Sequence, residues 1–194
     1  MAELSHATAG ASRANPLAAL AAATPGVPAA TLTVLPDAAR FVFRCREGGA
    51  GHAGRAFACG LPREPGRFVS ASGRMAVWLG PDEWLLIAVG EEAAPLAASI
   101  EAETAAIPHS LVDVGHRSVG IEVSGRAAAA VINAGCPLDL SLEAFPVGSG
   151  TRTILAKAEI VLLRTGPETF QLDVWRSFSA YAWQYLEEAR REFA

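Results

Sequence analysis

Val119, Ile121 and Val123 alternate with Gly120 and Glu122, the period of a half-buried strand, and an apolar run over residues 111–114 precedes them across Gly115-His116-Arg117. These two segments are predicted to pair. Residues 31–35 and 40–45 alternate well enough for a second pair, turned at Pro36-Asp37. A third pair, 75–79 and 83–89, is joined by Gly80-Pro81-Asp82, where proline presets φ at the turn. Trp78, Trp84, Leu86 and Ala88 are its core candidates.

Helical periods fill the intervals. A short helix is predicted from Pro16, another over 91–105 with Glu91 and Glu92 at the positive end of its dipole, and an Ala-rich one over 126–133. Ser124 is placed to cap the last of these, Gly135 to end it, and Pro137 cannot continue it. In the final helix, 177–191, Phe178, Tyr181, Ala182, Tyr185 and Leu186 recur at helical spacing and are predicted to face inward. Glu187, Glu188, Arg190 and Arg191 read as its solvated end.

The hairpin-then-helix pattern occurs twice. Residues 160–164, the turn Thr165-Gly166-Pro167-Glu168, the strand 170–175 and the helix after it mirror residues 75–103. The expected fold is therefore α+β, two similar halves at about 30–108 and 109–194 with mainly antiparallel sheets, behind a flexible tail over 1–15. Residues 48–54 (GGAGHAG) lack the Lys-Ser/Thr of a phosphate-binding P-loop and the following helix of a dinucleotide fingerprint, so they read as a surface loop.

Composition narrows the function. Half the residues are hydrophobic, enough for a sizeable core, and a net charge of −4 without any basic block argues against nucleic acid or an anionic membrane as partner. No run approaches ~20 apolar residues, so no membrane span is predicted. Residues 17–23 are too short for a signal-peptide core and Glu3 stands where a basic segment belongs, so the cytoplasm is the expected compartment. Cys45, Cys59 and Cys136 have no metal or redox spacing and read as buried small side chains. A nucleophilic Cys136 would need His109 or His116 beside it.

Candidate acid–base groups are few. Asp113, His116 and Arg117 share one turn and Asp139 follows the Ala-rich helix, but no nucleophile or cofactor fingerprint accompanies them. The favoured reading is structural, with Asp113 pairing with Arg117 or capping amides of the turn, and His116 on the surface.

The order Asp113, His116-Arg117, a strand, Ser124-Gly125 and an Ala-rich helix resembles the folate-binding aminomethyltransferase superfamily of the glycine cleavage system. Within it, the chain is most similar to the gamma-subunit family of heterotetrameric sarcosine oxidase. The stretches from Trp78 to Leu86 (WLGPDEWLL), from Ala134 to Leu140 (AGCPLDL), and Leu155-Ala156-Lys157-Ala158-Glu159-Ile160 followed by Val174-Trp175-Arg176-Ser177-Phe178 carry the same resemblance. Together they span roughly Pro16 to Glu188, nearly the whole chain.

The resemblance implies a subunit of a four-chain complex, with alpha, beta and delta partners, that oxidatively demethylates sarcosine to glycine. It further implies that FAD, FMN, NAD and tetrahydrofolate lie on the other chains, and that this chain holds no catalytic, cofactor or metal residue. The acidic pair that serves folate in aminomethyltransferases is matched here by Lys157-Ala158-Glu159, with a single acid, which implies a fold retained without its site. Arg117, Arg152, Trp175, Arg176 and Phe178 combine the residue types enriched at interface centres and are the docking candidates. Two other readings remain open: the equivalent subunit of an N-methylglutamate dehydrogenase-type complex, and a stand-alone folate-binding protein with Glu159 or Asp113 at the floor of a central pocket.

Overall fold

The computed structural model describes residues 14–46 and 48–194. The expected tail therefore lies, up to residue 13, outside the described residues. The order is α1 (Ala18–Ala23), β1 (Thr31–Val34), β2 (Ala38–Cys45), α2 (Gly49–Ala56), β3 (Phe68–Ala71), β4 (Arg74–Gly80), β5 (Glu83–Val89), α3 (Ala93–Thr104), β6 (His109–Asp113), β7 (Ser118–Ser124), α4 (Ala128–Asn133), β8 (Gly150–Leu155), β9 (Ala158–Gly166), β10 (Thr169–Trp175) and α5 (Arg176–Ala189). A closing 3-10 turn spans Arg190–Phe193.

Two five-stranded sheets result, ordered β1-β7-β10-β9-β8 and β3-β4-β5-β2-β6, and every pairing within them is antiparallel. Read from the β6 edge, the second order repeats the first. Each half runs β-β-α-β-β-β-α, and each lends its first strand to the other half's sheet: β1 pairs with β7, and β6 pairs with β2. This exchange corrects two expected pairings. Residues 31–35 do not pair with 40–45, nor 111–114 with 119–123; both connections instead cross from one sheet to the other.

Both faces of the central strands are buried, with a period of two deciding which side chain goes where. Phe170, Leu172 and Val174 on β10, with Val119, Ile121 and Val123 on β7, pack beneath Ala182, Trp183 and Leu186 of α5 and Val131 and Ile132 of α4. Phe41, Phe43, Trp84 and Leu86 do the same in the second sheet against α2 and α3. The alternate residues Ala38, Val77, Leu85, Ile87 and Leu163 fill the seam between the sheets. Each large apolar side chain so buried is worth ~1.5–3 kcal/mol.

Several local expectations change. Residues 48–54 contribute to helix α2, because Ala50 and Ala53 are buried against the core and Gly49 sits where a Cβ would come within 2.8 Å of Cys45 Sγ. Ser124 ends a strand and caps nothing; α4 begins only at Ala128, after Gly125 at φ +119°. On α5 the buried stripe is Ser179, Ala182, Trp183 and Leu186, while Phe178 stands outside it. Trp183 Nε1–H donates to Thr24 Oγ1 at 3.0 Å. Arg190 is 1% exposed and donates to the carbonyls of Ala30 and Pro25 and to Glu187, so the final turn is an anchor. Glu91 pairs with Arg74 at 2.6 Å just ahead of α3. Trp84, Leu86 and Ala88 are buried as expected, and Trp78 is half-buried.

Candidate functional site

The seam ends in a crevice where three elements deliver polar and aromatic side chains. Arg117 closes the β6–β7 crossover, Trp175 is the last residue of β10, and Arg152 lies on β8; all three line the crevice with Leu79 and Glu159. Ladder pairing of Trp175 with Ser118 brings the end of β10 beside Arg117. The Arg117 guanidinium carbon lies 5.1 Å from the centroid of the Trp175 ring, a cation–π stack at the surface. The backbone N–H of Arg176 donates to the Arg117 carbonyl at 2.6 Å, so the start of α5 is tied to the same turn.

Arg152 donates to Glu83 Oε1 at 2.7 Å, and Glu159 is 3.9 Å away. That contact reaches from the first sheet to the hairpin of the second. Trp175 and Phe178 are 41% and 42% exposed, and Arg176 donates to the Ala14 carbonyl at 2.7 Å. Of the five docking candidates, then, Arg117, Arg152 and Trp175 share one crevice, Arg176 adjoins it, and Phe178 stands two residues further on.

Beneath the crevice lies a buried ion pair. Arg40 Nε donates to Asp173 Oδ2 at 2.6 Å, joining β2 to β10, and Gly120 leaves the space this needs, since a Cβ there would stand 3.3 Å from Arg40 Nη2. Burial raises the Asp173 pKa while the Arg40 charge opposes the rise. The space left in the crevice is about 30 Å³, room for one or two water molecules. The sequence carried a signal for this pair: Arg40 and Asp173 are the charged residues inside largely apolar strand stretches, AARFVF and FQLDVW.

The acid–base candidates are not assembled. Asp113 Oδ1 accepts from the Gly115 N–H at 2.8 Å, the amide-capping role, and His116 is exposed. Asp139 accepts from Ser141 N–H at 2.8 Å, and that hydrogen bond holds its carboxyl below the usual range. Lys157 and Glu159 are both exposed on the hairpin between β8 and β9. All three cysteines are free and buried, and burial pushes the Cys45 and Cys59 thiols up. His109 hydrogen-bonds Glu101 and Ile107, away from any thiol role. Among the described residues no cluster of three or more His, Cys, Asp or Glu could hold a metal ion, and no helix is long and apolar enough to cross a membrane.

The family described as "Sarcosine oxidase, gamma subunit family" matches residues 50–192. The chain belongs to that family. Sarcosine oxidase subunit gamma of Corynebacterium sp. (strain U-96) is 33% identical over 190 residues, covering 94% of this chain and 92% of the relative. The gamma subunit of an Arthrobacter species is 36% identical over 154 residues, covering 78% and 75%.

Solved structures agree with the sequence relatives. A chain of the heterotetrameric sarcosine oxidase from Corynebacterium sp. U-96 superposes with a TM-score of 0.85 at 32% identity, covering 93% of this chain and 96% of that one. Aminomethyltransferase T of the glycine cleavage system from Bartonella henselae gives 0.61 at 15% identity, covering 81% of this chain and 45% of that one, a likeness of fold. The gamma-subunit family and the aminomethyltransferase-like α+β fold expected from the sequence are therefore both found.

Proposed function

We propose that the chain serves in a heterotetrameric sarcosine oxidase that oxidatively demethylates sarcosine to glycine, as a non-catalytic subunit held by alpha, beta and delta partners. The observation that carries this reading is the whole-chain likeness, in sequence and structure, to a gamma-sized chain of a heterotetrameric sarcosine oxidase. FAD, FMN, NAD and tetrahydrofolate are assigned to the other chains. The crevice at the seam supports that assignment on size, since about 30 Å³ has no room for a folate. A stand-alone folate-binding protein with Glu159 at the floor is disfavoured separately, because the Glu159 side chain is 54% exposed.

On this reading the docking surface lies at the open end of the seam. Arg117 stacked on Trp175, flanked by Arg152, Arg176 and Phe178, offers exposed aromatic area beside guanidinium forks, the composition of interface hot spots. A stable interface buries more than about 1,000 Å² in total, so this patch is its centre and the surrounding strand ends its rim.

The test is recovery of the tagged full chain from its native cells under gentle conditions. A complex with three further chains, coloured by flavin and bleached anaerobically by sarcosine, is the expected result. Bleaching by N-methylglutamate in place of sarcosine would reassign the amine, and a colourless monomer would overturn the subunit reading.

A further inference from the structure

On the second sheet, away from the seam, a cavity of about 290 Å³ opens between the start of α2, the β4–β5 hairpin and the connection over residues 60–65. Trp78, Trp84, Pro65 and Pro81 form its apolar walls, with Cys45 and Ala50 beside them. Trp84 is held in place: it is buried, and its Nε1–H donates to the Pro62 carbonyl at 2.7 Å.

Among the described residues, the charged side chains that line the cavity are both basic. Arg46 and Arg63 line it, and neither forms an ion pair with a carboxylate among the described residues. In a chain with 20 acidic and 16 basic residues, two guanidiniums at one cavity without a carboxylate partner among the described residues are a departure from the overall balance. The nearby acid Asp82 is engaged outward by Arg44 at 3.4 Å. The beginning of α2 adds to the positive field: Gly48 and Ala50 line the cavity and no side chain caps the helix. Burial raises the Cys45 pKa, the Asp82 charge raises it further and the Arg63 charge counters them, so the fields of both charges reach this wall of the cavity.

We propose that this cavity binds a small organic anion, a flat ring bearing a phosphate or a carboxylate, with the ring against Trp78 and Trp84 and the anionic group toward Arg46 and Arg63. A guanidinium pair suits bidentate contact with either oxyanion, and indole faces suit a flat body. The volume lies near the lower end of the ~300–1,000 Å³ range of small-molecule sites, which limits the ligand to about one ring and its charged group.

The site is distinct from the docking patch and does not depend on the subunit assignment. Its test is titration of the purified full chain with phenyl phosphate, benzoate, inorganic phosphate and neutral benzyl alcohol, followed by tryptophan fluorescence and calorimetry. Saturable binding of phenyl phosphate or benzoate is expected, whichever binds tighter naming the oxyanion. Arg46→Gln and Arg63→Gln are each expected to weaken it about tenfold, and Trp78→Phe to shrink the fluorescence change while heat remains. Because both arginines are exposed, the variants should melt with the parent, which separates lost binding from lost folding. Absence of saturable binding by either ring anion overturns the proposal, as does equal binding by benzyl alcohol or undiminished binding in the double arginine variant.

Discussion

Arg40 and Asp173, 133 residues apart, meet at 2.6 Å across the seam with side chains 3% and 4% exposed. The surrounding seam is Ala38, Val77, Leu85, Ile87, Val114 and Leu163, so each charge depends on the other for compensation. Asp173→Ala leaves a guanidinium in that apolar layer, and a loss of about 3–5 kcal/mol is expected. Arg40→Met with Asp173→Leu removes both charges at similar volume and should recover most of the loss. Urea melts of the single and double variants check this, and an additive double variant would show that the pair is not the coupling.

Trp175→Ala should leave the chain's own melting point nearly unchanged, because the ring is 41% exposed and stacks on the exposed Arg117 guanidinium. If the patch is the centre of the docking surface, the same change weakens assembly by about 2 kcal/mol or more, some thirtyfold in affinity. Arg117→Ala should do the same by removing the stacked cation. Competition between tagged wild-type and variant chains for the remaining subunits gives the ratio. Equal incorporation would move the interface elsewhere.

Much of the fold was legible because most strands have a clear period and most turns a clear residue. Gly80-Pro81-Asp82 and Thr165-Gly166-Pro167-Glu168 both turn hairpins, and the fold class follows from them. Strand partners were not legible where the halves exchange strands. Pro36-Asp37 and Gly115-His116-Arg117 look like hairpin turns in sequence, yet they carry the chain from one sheet to the other, and nothing local distinguishes the two uses. The α2 segment failed for a related reason: its glycines suit a loop by propensity, but close packing of Gly49 on Cys45 and burial of Ala53 outweigh that preference. Arg190 was misread because residues beside it are solvated, whereas its own partners are Glu187 and two carbonyls about 160 residues away. The docking candidates cluster at the seam because Trp175 and Arg117 come together through the β7–β10 ladder, a contact of tertiary origin.

Stability should fall as pH rises past neutrality, through His109. Its Nδ1 faces the Ile107 carbonyl at 2.8 Å and its Nε2 faces Glu101 at 2.9 Å, so two acceptors favour the doubly protonated ring. The Ile107 carbonyl contributes most to raising its pKa above the usual value of about 6.5; burial opposes this and Glu101 assists. A raised folded pKa means the contribution is complete below the unfolded pKa and is lost as pH climbs through the folded one. His109→Gln should therefore narrow its stability deficit between about pH 6 and pH 8, a range set by the ordinary histidine pKa. Parallel thermal melts across that range measure the difference, and a deficit constant with pH would assign the loss to packing alone.

Gly125 is the position where an added methyl group should cost most. Its φ is +119°, and a Cβ would lie 2.6 Å from the Ala29 carbonyl oxygen. That oxygen cannot move freely, since it accepts from the Ala127 N–H at 2.8 Å, just before α4. Gly73, at φ +78° in the β3–β4 turn, has nothing within 4 Å of the same methyl position, so Gly73→Ala carries the conformational cost alone, about 1 kcal/mol. Gly125→Ala adds a backbone clash and a less accessible φ, and the expected loss is about 3 kcal/mol. The two variants share the chemical change, so their difference in urea midpoint reports the contact between Gly125 and Ala29 together with the difference in φ. Equal losses would mean that the Ala29 backbone yields without penalty and that the junction of β7 with α4 is softer than its hydrogen bonds indicate.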